Sequence, residues 1–453
     1  MKALHAGIVL TLVLIMAAGT ASAAPLLFTP RATVTERYSD NIFLDHDNKK
    51  SDFITTPTVG FTAEIPGQST GLSLSYDGGY NFYAEHATND GWQHNALGNV
   101  YHNFTRDTRL DLNSYFLYAK EANNQDVVNQ QGNVVAPGDF SSRQGLNTYY
   151  RDYSTARLMH QFGPENSTYA QFVYGFLHNK SDQFQDSQEI SPSVGMTYWW
   201  TTWTGIELEG AYLRGLYDNA GQATNGEDDF QQGSGRARLN HRLAPNYGFF
   251  EQYQQIYRNY DGNQAGQAQT NGQLNQDYWV YAPSVGLFYQ FDPTLTASIG
   301  LGYFYQQIQN ADDQQGFFPT GDINKLWDYQ SWSVRARGSA GIASQDFNAQ
   351  NQGFTRYVQT DLLGRYNFTR QFFGDAELTY RYSDYINSQD DEVDHYFRGQ
   401  AGFGYDVFRW MTLRLSYAFT KLTAVNSSTN DYEENSVMFT VTLQPDVPWK
   451  LWD

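Results

Sequence analysis

Cysteine is absent from this chain of 453 residues, which excludes a disulfide framework, a thiolate metal site and covalently attached haem. Beyond residue 24 there is also no apolar run long enough to span a bilayer as a helix. Basic residues are few: 29 Lys and Arg stand against 48 Asp and Glu, a formal charge of −19. Such a balance is a poor match for nucleic acid. The HExxH pattern and the GxxxxGK phosphate loop are both missing. Gly300-Leu301-Gly302 and Gly402-Phe403-Gly404 are read as strand glycines, with no following helix to hold a dinucleotide. The nine histidines show no hydrolase-like spacing with serine. No catalytic residue, cofactor or metal ligand is assigned.

The first 23 residues have the form of an export signal. "MKALH" is a basic start, "AGIVLTLVLIMAAG" an apolar stretch, and Ala21-Ser22-Ala23 a small-residue cleavage site. Without them and their one charged residue, Lys2, the charge is −20. What remains, 24–453, is expected to be one domain.

Aromatics are plentiful, at 16% of residues, including 34 Tyr and 30 Phe, in a chain whose mean hydropathy is that of a polar protein. Periodicity reconciles the two. From Leu295 every other residue is apolar or aromatic (Ala297, Ile299, Leu301, Tyr303, Tyr305), while Thr296, Ser298, Gly300 and Gly302 lie between. A period of two is a strand with one apolar and one wet face. The pattern recurs in runs of roughly ten residues joined by tight turns. Such turns fall at Thr105-Arg106-Asp107, Gly163-Pro164-Glu165-Asn166, Ala244-Pro245-Asn246, Thr369-Arg370-Gln371 and Phe408-Arg409-Trp410. The other ends of the hairpins are longer and polar, as in 121–142, 219–229 and 261–276.

Short turns alternating with long polar loops are the pattern of a transmembrane antiparallel up-and-down β-barrel, with short periplasmic turns and long extracellular loops. Charged residues on the second face are costly in a dry core and natural in a water-filled lumen. The apolar face then meets lipid, and closure satisfies every backbone group. Trp199, Trp200, Trp203 and Trp410 sit near turns, where amphipathic rings suit the membrane interface. The count is about 18 strands, within 16–20, in the outer membrane of a diderm bacterium. Segment 310–353 is expected as a long or inward-folded loop, because Gly338, Gly341 and their small neighbours weaken the strand pattern. The last strand, 436–443, offers Val437, Phe439, Val441 and Leu443 to lipid and is followed by a tail, "QPDVPWKLWD".

The alternation assigns the wet face residue by residue. Arg236, Arg238, Arg242, Glu207, Glu209, Asp375, Glu377, Arg381, Arg398 and Arg414 are the candidate pore-lining residues. Such a wall either orders ions or an acidic polymer, or bridges internally and closes the lumen. Arg335 and Arg337, in the expected loop, are candidates for an inward constriction. Tyr83 and Tyr115 fall on inward faces where rings can stack on sugars. "DDEVD" (390–394), Asp312-Asp313 and Asp228-Asp229 fall on external loops. They read either as Ca²⁺ ligands bridging lipopolysaccharide phosphates or, more simply, as solvated loop tips.

Tyr38-Ser39-Asp40-Asn41-Ile42-Phe43 and Asp52-Phe53-Ile54-Thr55-Thr56-Pro57 resemble the opening of the family called putative β-barrel porin 2. The hairpin rhythm is similar over the rest of the chain. The resemblance implies an outer-membrane component associated with exopolysaccharide and exosortase systems, an exit pore for polysaccharide. It implies partners among lipid, lipopolysaccharide and periplasmic export components. Two other readings stand beside the pore: a closed scaffold barrel that binds partners through its loops, and a sheath around a separate electron-transfer cytochrome.

Overall fold

The computed structural model describes residues 24–452 apart from 122–126, 129–133, 137–144, 182–183, 219–228, 262–275, 293, 310, 344–353, 387–392 and 426–430. The period-two stretches are strands. First come β1 (Leu26–Ser39), β2 (Asp52–Ile65), β3 (Thr70–Tyr83), β4 (Gly91–Asn103) and β5 (Thr108–Ala119). A small hairpin, β6 (Val127–Val128) with β7 (Val134–Ala136), interrupts the series. Then follow β8 (Tyr149–Gln161), β9 (Ser167–Asn179), β10 (Asp186–Trp199), β11 (Thr204–Asp218), β12 (Phe230–Ala244) and β13 (Tyr247–Tyr260). Next are β14 (Tyr278–Asp292), β15 (Leu295–Ile308), β16 (Gln314–Asp328), β17 (Trp332–Ala343) and β18 (Phe354–Asn367). Last come β19 (Phe372–Ile386), β20 (Val393–Phe408), β21 (Met411–Val425), β22 (Tyr432–Leu443) and a short β23 (Trp449–Trp452).

Each long strand pairs antiparallel with its predecessor and successor, β5 pairs with β8, and β22 returns to β1. Twenty strands therefore close a barrel. Its outward face is apolar: Leu287, Ile299 and Leu301 are 66%, 61% and 56% exposed, whereas the inward neighbours Ser298 and Phe304 are buried. With no water to serve the backbone in hydrocarbon, such a face is stable only because the ladder has no free edge.

Segment 310–353 corrects the expectation of a loop and raises the count from about 18 to twenty. It contains β16 and β17, and Gly338 lies in register with Ile323 on one side and Thr360 on the other. The ladder is made by backbone groups, so small side chains blur the sequence pattern without costing a hydrogen bond. Gly321 is where this part of the wall needs glycine. Its φ is +148°, and a Cβ there would lie 2.1 Å from the Ser298 carbonyl oxygen. The pairing of β16 with β17 starts at this residue, and Arg356 Nη1 donates 2.9 Å to the Phe317 carbonyl beyond it. Gly321→Val is expected to cost about 1–3 kcal/mol in strain, read as a lower urea midpoint of the refolded barrel.

The first hairpin locks the seam between β1 and β22. Ser39 Oγ donates 2.6 Å to Glu434, and the two Asp40 oxygens accept the backbone and side-chain amides of Asn435 at 2.7 Å. Asn41 Nδ2 reaches the carbonyls of Asp45 (2.8 Å) and Glu433 (2.9 Å). Asp52 caps the next loop by accepting the amides of Glu85 and His86, both at 3.0 Å. At the opposite rim the tail folds back. Gln444 N donates to the Trp410 carbonyl, and β23 pairs with Leu26–Phe28 of β1, an edge that β22 leaves open below Ala32. Covering that edge removes a site for unwanted strand pairing.

Candidate functional site: the inner wall

Alternation puts all twelve charged candidates on the inner face, and register decides what each one meets. Between β11 and β12, Arg236 stands opposite Glu209 and Arg238 opposite Glu207. Arg236 Nη2 reaches Glu209 Oε2 at 2.8 Å. Arg238 instead donates Nε to Asn240 at 3.0 Å and lies 3.8 Å over the Phe250 ring, while Glu207 accepts from Asn240 Nδ2 at 2.8 Å. Arg242 turns toward the short-turn rim, bonding Glu165 at 2.8 and 3.0 Å with its guanidinium over Trp199.

A second group lies on β17 to β21. Asp375 and Arg414 form a two-pronged ion pair across β20, with Arg414 Nε 3.1 Å from Oδ1. The intervening strand places Gly402 opposite Asp375 and Gly404, with the Phe373 ring packed over it, opposite Arg414. Arg381 donates to Gln359 (2.9 Å) and Ser383 (3.1 Å), and Arg398 to Thr420 (3.2 Å) and Gln400 (3.1 Å). Glu377 lies in the field of Arg398, Arg337 and Arg414. Arg335 and Arg337 are not a constriction loop: both stand on β17, opposite Leu363 and Asp361 of β18. A backbone paired on both sides cannot fold into the lumen.

Several inner-wall arginines escaped the sequence reading, among them Arg109, Arg157, Arg258 and Arg365; Arg31 and Arg37 are two more, sharing the inward parity of Thr33 and Thr35. Arg31 Nη2 bonds Asp77 at 2.6 Å over Gly60, where a Cβ would lie 2.1 Å from Asp77 Oδ1. Gly60→Val is expected to separate that pair, costing about 1 kcal/mol for a half-exposed contact, measured as a small drop in urea midpoint. Arg37 meets Glu121 and, at 3.9 Å, Glu434. Glu121 also accepts from the Tyr83 hydroxyl at 2.9 Å. The stem following β5 thus reaches across to β1 and β3, which local pattern cannot reveal.

Toward the long loops the inner wall turns dry. Leu213, Phe230, Ile256, Val280, Phe304 and Phe318 form one buried cluster, in which Arg258 is fully buried over Phe230 at 3.8 Å. Smaller clusters of Tyr115 with Tyr149, Tyr396 with Leu422, and Ile54 with Tyr83 continue it around the rim. Tyr83 and Tyr115 are therefore packed side chains, not platforms for passing sugars. The wall is more exposed and charged toward the short turns; toward the loops it is buried, with Glu189, Gln232, Arg258 and Gln306 enclosed among the apolar side chains.

Of the acidic loop clusters, Asp228 and Asp390–Glu392 lie outside the described residues. Asp394 is not a solvated tip: it faces inward on β20 and is buried. Asp229 Oδ1 accepts the Tyr217 amide at 2.7 Å, and Asp313 accepts the Tyr305 hydroxyl. Beside Asp229, Asp261 is held below the usual carboxylate range, chiefly by its hydrogen bond from Arg214. Among the described residues no three His, Cys, Asp or Glu side chains converge as metal ligands. Gly67-Gln68-Ser69-Thr70-Gly71 has GxSxG spacing but is the β2–β3 turn, between two strands rather than strand and helix, so it builds no nucleophile elbow.

A family model described as putative β-barrel porin 2 matches residues 201–445, more than half of the chain. No curated protein matches the sequence. Among solved structures, the ferric-catecholate import receptor Fiu of E. coli K12 is similar at 10% identity and TM-score 0.49, over 93% of this chain and 82% of that one. The FrpB iron transporter of Neisseria meningitidis is similar at 9% and 0.47, over 92% and 82%. Pseudomonas aeruginosa OccK2 is similar at 11% and 0.39, over 92% and 98%.

Proposed function

Because the chain belongs to the putative β-barrel porin 2 family, we propose that this outer-membrane barrel is a channel for hydrophilic solute and, within that class, an exit pore for exopolysaccharide. One observation carries the channel reading: charged side chains from β1 to β22 project into the enclosed space while the outward face is apolar. A lumen that served only as packing would cost several kcal/mol for each unpaired ion removed from water. Several of these ions keep about a third of their side-chain surface exposed, such as Arg236 and Glu209 at 36% each. The polysaccharide assignment rests on the family resemblance. Lipid, lipopolysaccharide and periplasmic export components are its expected partners, and transport proceeds without catalysis.

The dry loop-end clusters favour a second reading, a barrel closed on its outer side that presents its loops to partners. Planar-bilayer conductance of the purified mature protein separates the two. Steady large openings support the channel. Silence from a folded, heat-modifiable barrel supports the closed scaffold.

A further inference from the structure

On the twenty long strands arginine supplies the inward-facing cations, whereas the two lysines there, Lys325 and Lys421, share the outward parity of Ile323 and Tyr417. The distinction matters chemically. An ammonium is a compact point charge, whereas guanidinium is a planar fork that matches a carboxylate with two parallel hydrogen bonds. Here many of the guanidinium carbons lie over aromatic rings. Arg109 lies over Tyr101 (4.5 Å), Arg157 over Tyr169 (4.3 Å), Arg238 over Phe250 (3.8 Å), Arg242 over Trp199 (3.8 Å) and Arg365 over Phe373 (3.8 Å). A ring beneath a guanidinium attracts the cation while its N–H donors remain able to meet oxygen acceptors.

What engages those edges differs around the wall. Arg109, Arg236, Arg242 and Arg414 meet carboxylates. Arg365 instead donates to Asn367 Oδ1 at 3.3 Å, and Arg398 to Thr420 and Gln400. Among the described residues neither makes an ion pair with a carboxylate. Both belong to the β17–β21 arc, with Arg335, Arg337, Arg381 and Arg414. Neutral oxygens at 3.1–3.3 Å are partners that an incoming carboxylate can displace at little cost.

We propose that the inner wall along β17–β21 is a binding track for a polymer bearing carboxylates, entered from the short-turn end, with Arg365 and Arg398 as its grips. The proposal rests on the channel reading and names the charge class of its cargo. The rim charges agree with the direction. Asp45, Asp47, Glu85, Asp90, Asp312 and Asp313 stand at the loop end, so a polyanion outside meets like charge, while one at the turn end meets guanidinium first.

The test uses the full mature protein in planar bilayers, with polygalacturonate as probe and dextran of similar length as the uncharged control, each added to either side. Polygalacturonate on the short-turn side is expected to block at a concentration at least tenfold lower than on the loop side, and tenfold lower than dextran. Arg365→Gln with Arg398→Gln is expected to raise the half-blocking concentration at least tenfold. Arg365→Lys keeps the charge but loses the fork and is expected to raise it severalfold. Arg409→Gln, at an exposed turn, is the control without effect. Heat-modifiable migration confirms that each variant is folded. Equal block by dextran, or an unchanged half-blocking concentration in the folded double variant, overturns the track. Calorimetry of polygalacturonate with the detergent-solubilised protein separates the two failures. Heat that the double variant abolishes, in a barrel that never conducts, keeps the track and removes the channel; a conducting barrel with neither heat nor block does the reverse.

Discussion

Replacing Arg37 by Gln is expected to lower the unfolding free energy of the barrel by about 3 kcal/mol, the low end of the cost of removing one partner from a buried ion pair. The low end applies because Arg37 and Glu121 keep 21% and 32% of their side-chain surface exposed. The guanidinium stands between Glu121, on the stem after β5, and Glu434, on the last long strand. Without it two carboxylates share a part-buried corner, held only by the hydroxyls of Tyr83 (2.9 Å to Glu121) and Ser39 (2.6 Å to Glu434). The corner lies on the seam where β1 meets β22, the pairing that depends on the two ends of the chain finding each other. Arg37→Lys keeps the charge but loses the fork, and an intermediate loss is expected. Arg37→Gln combined with Glu121→Gln is expected to recover part of the stability, because the double change removes the repulsion as well as the attraction. Urea unfolding of all four proteins in one detergent measures the cycle. Equal midpoints for wild type and Arg37→Gln would show that the seam is held by the backbone ladder alone.

Leu301→Arg, outward at the middle of β15, is expected to cost about 2–4 kcal/mol, the price of a guanidinium near the bilayer midplane. Thr296→Arg, on the same strand but facing the wet lumen near the short turn, is expected to stay within about 0.5 kcal/mol. The contrast depends only on which face each residue occupies. Leu301 is 56% exposed and lies in register with Val285 and Pro319, both outward. Refolding titrations into lipid vesicles read the difference directly. If the two variants were equally damaging, the inside-out assignment of the wall would fall, and with it the channel reading.

Those two predictions draw on different information, and the difference explains how much of the molecule was legible beforehand. The alternation of Leu295 to Tyr305 is local, because successive side chains of a strand point to opposite faces. Charged residues on one face and apolar residues on the other already imply a membrane barrel. Tight turns such as Ala244-Pro245-Asn246 carry their own signal and mark the hairpins. The same logic weakened where the side chains were small. Around Gly338 and Gly341 the alternation is present but faint, so β16 and β17 look like a loop. The resemblance carried by Tyr38–Phe43 lies in the first hairpin, whereas the matched family region begins at residue 201. That hairpin proves to be the seam lock, a role its residues reveal only beside Glu433, Glu434 and Asn435.

The amino-acid sequence alone therefore determined the class of the protein, the inward face of charged residues on the clearly alternating strands, such as Glu207, Glu209, Arg236 and Asp375, and the rhythm of short turns and long loops. Each follows from neighbours along one strand. The tertiary structure alone decided which arginine meets which carboxylate. Arg236 finds Glu209, but Arg238, two residues away, takes Asn240 and the Phe250 ring. Pairings such as Arg414 with Asp375 reach across an intervening strand, at positions where that strand carries Gly402 and Gly404. The tertiary structure also decided that the loop-end wall is dry. Burial is set by what packs against a side chain from distant strands, and a period of two carries no information about that.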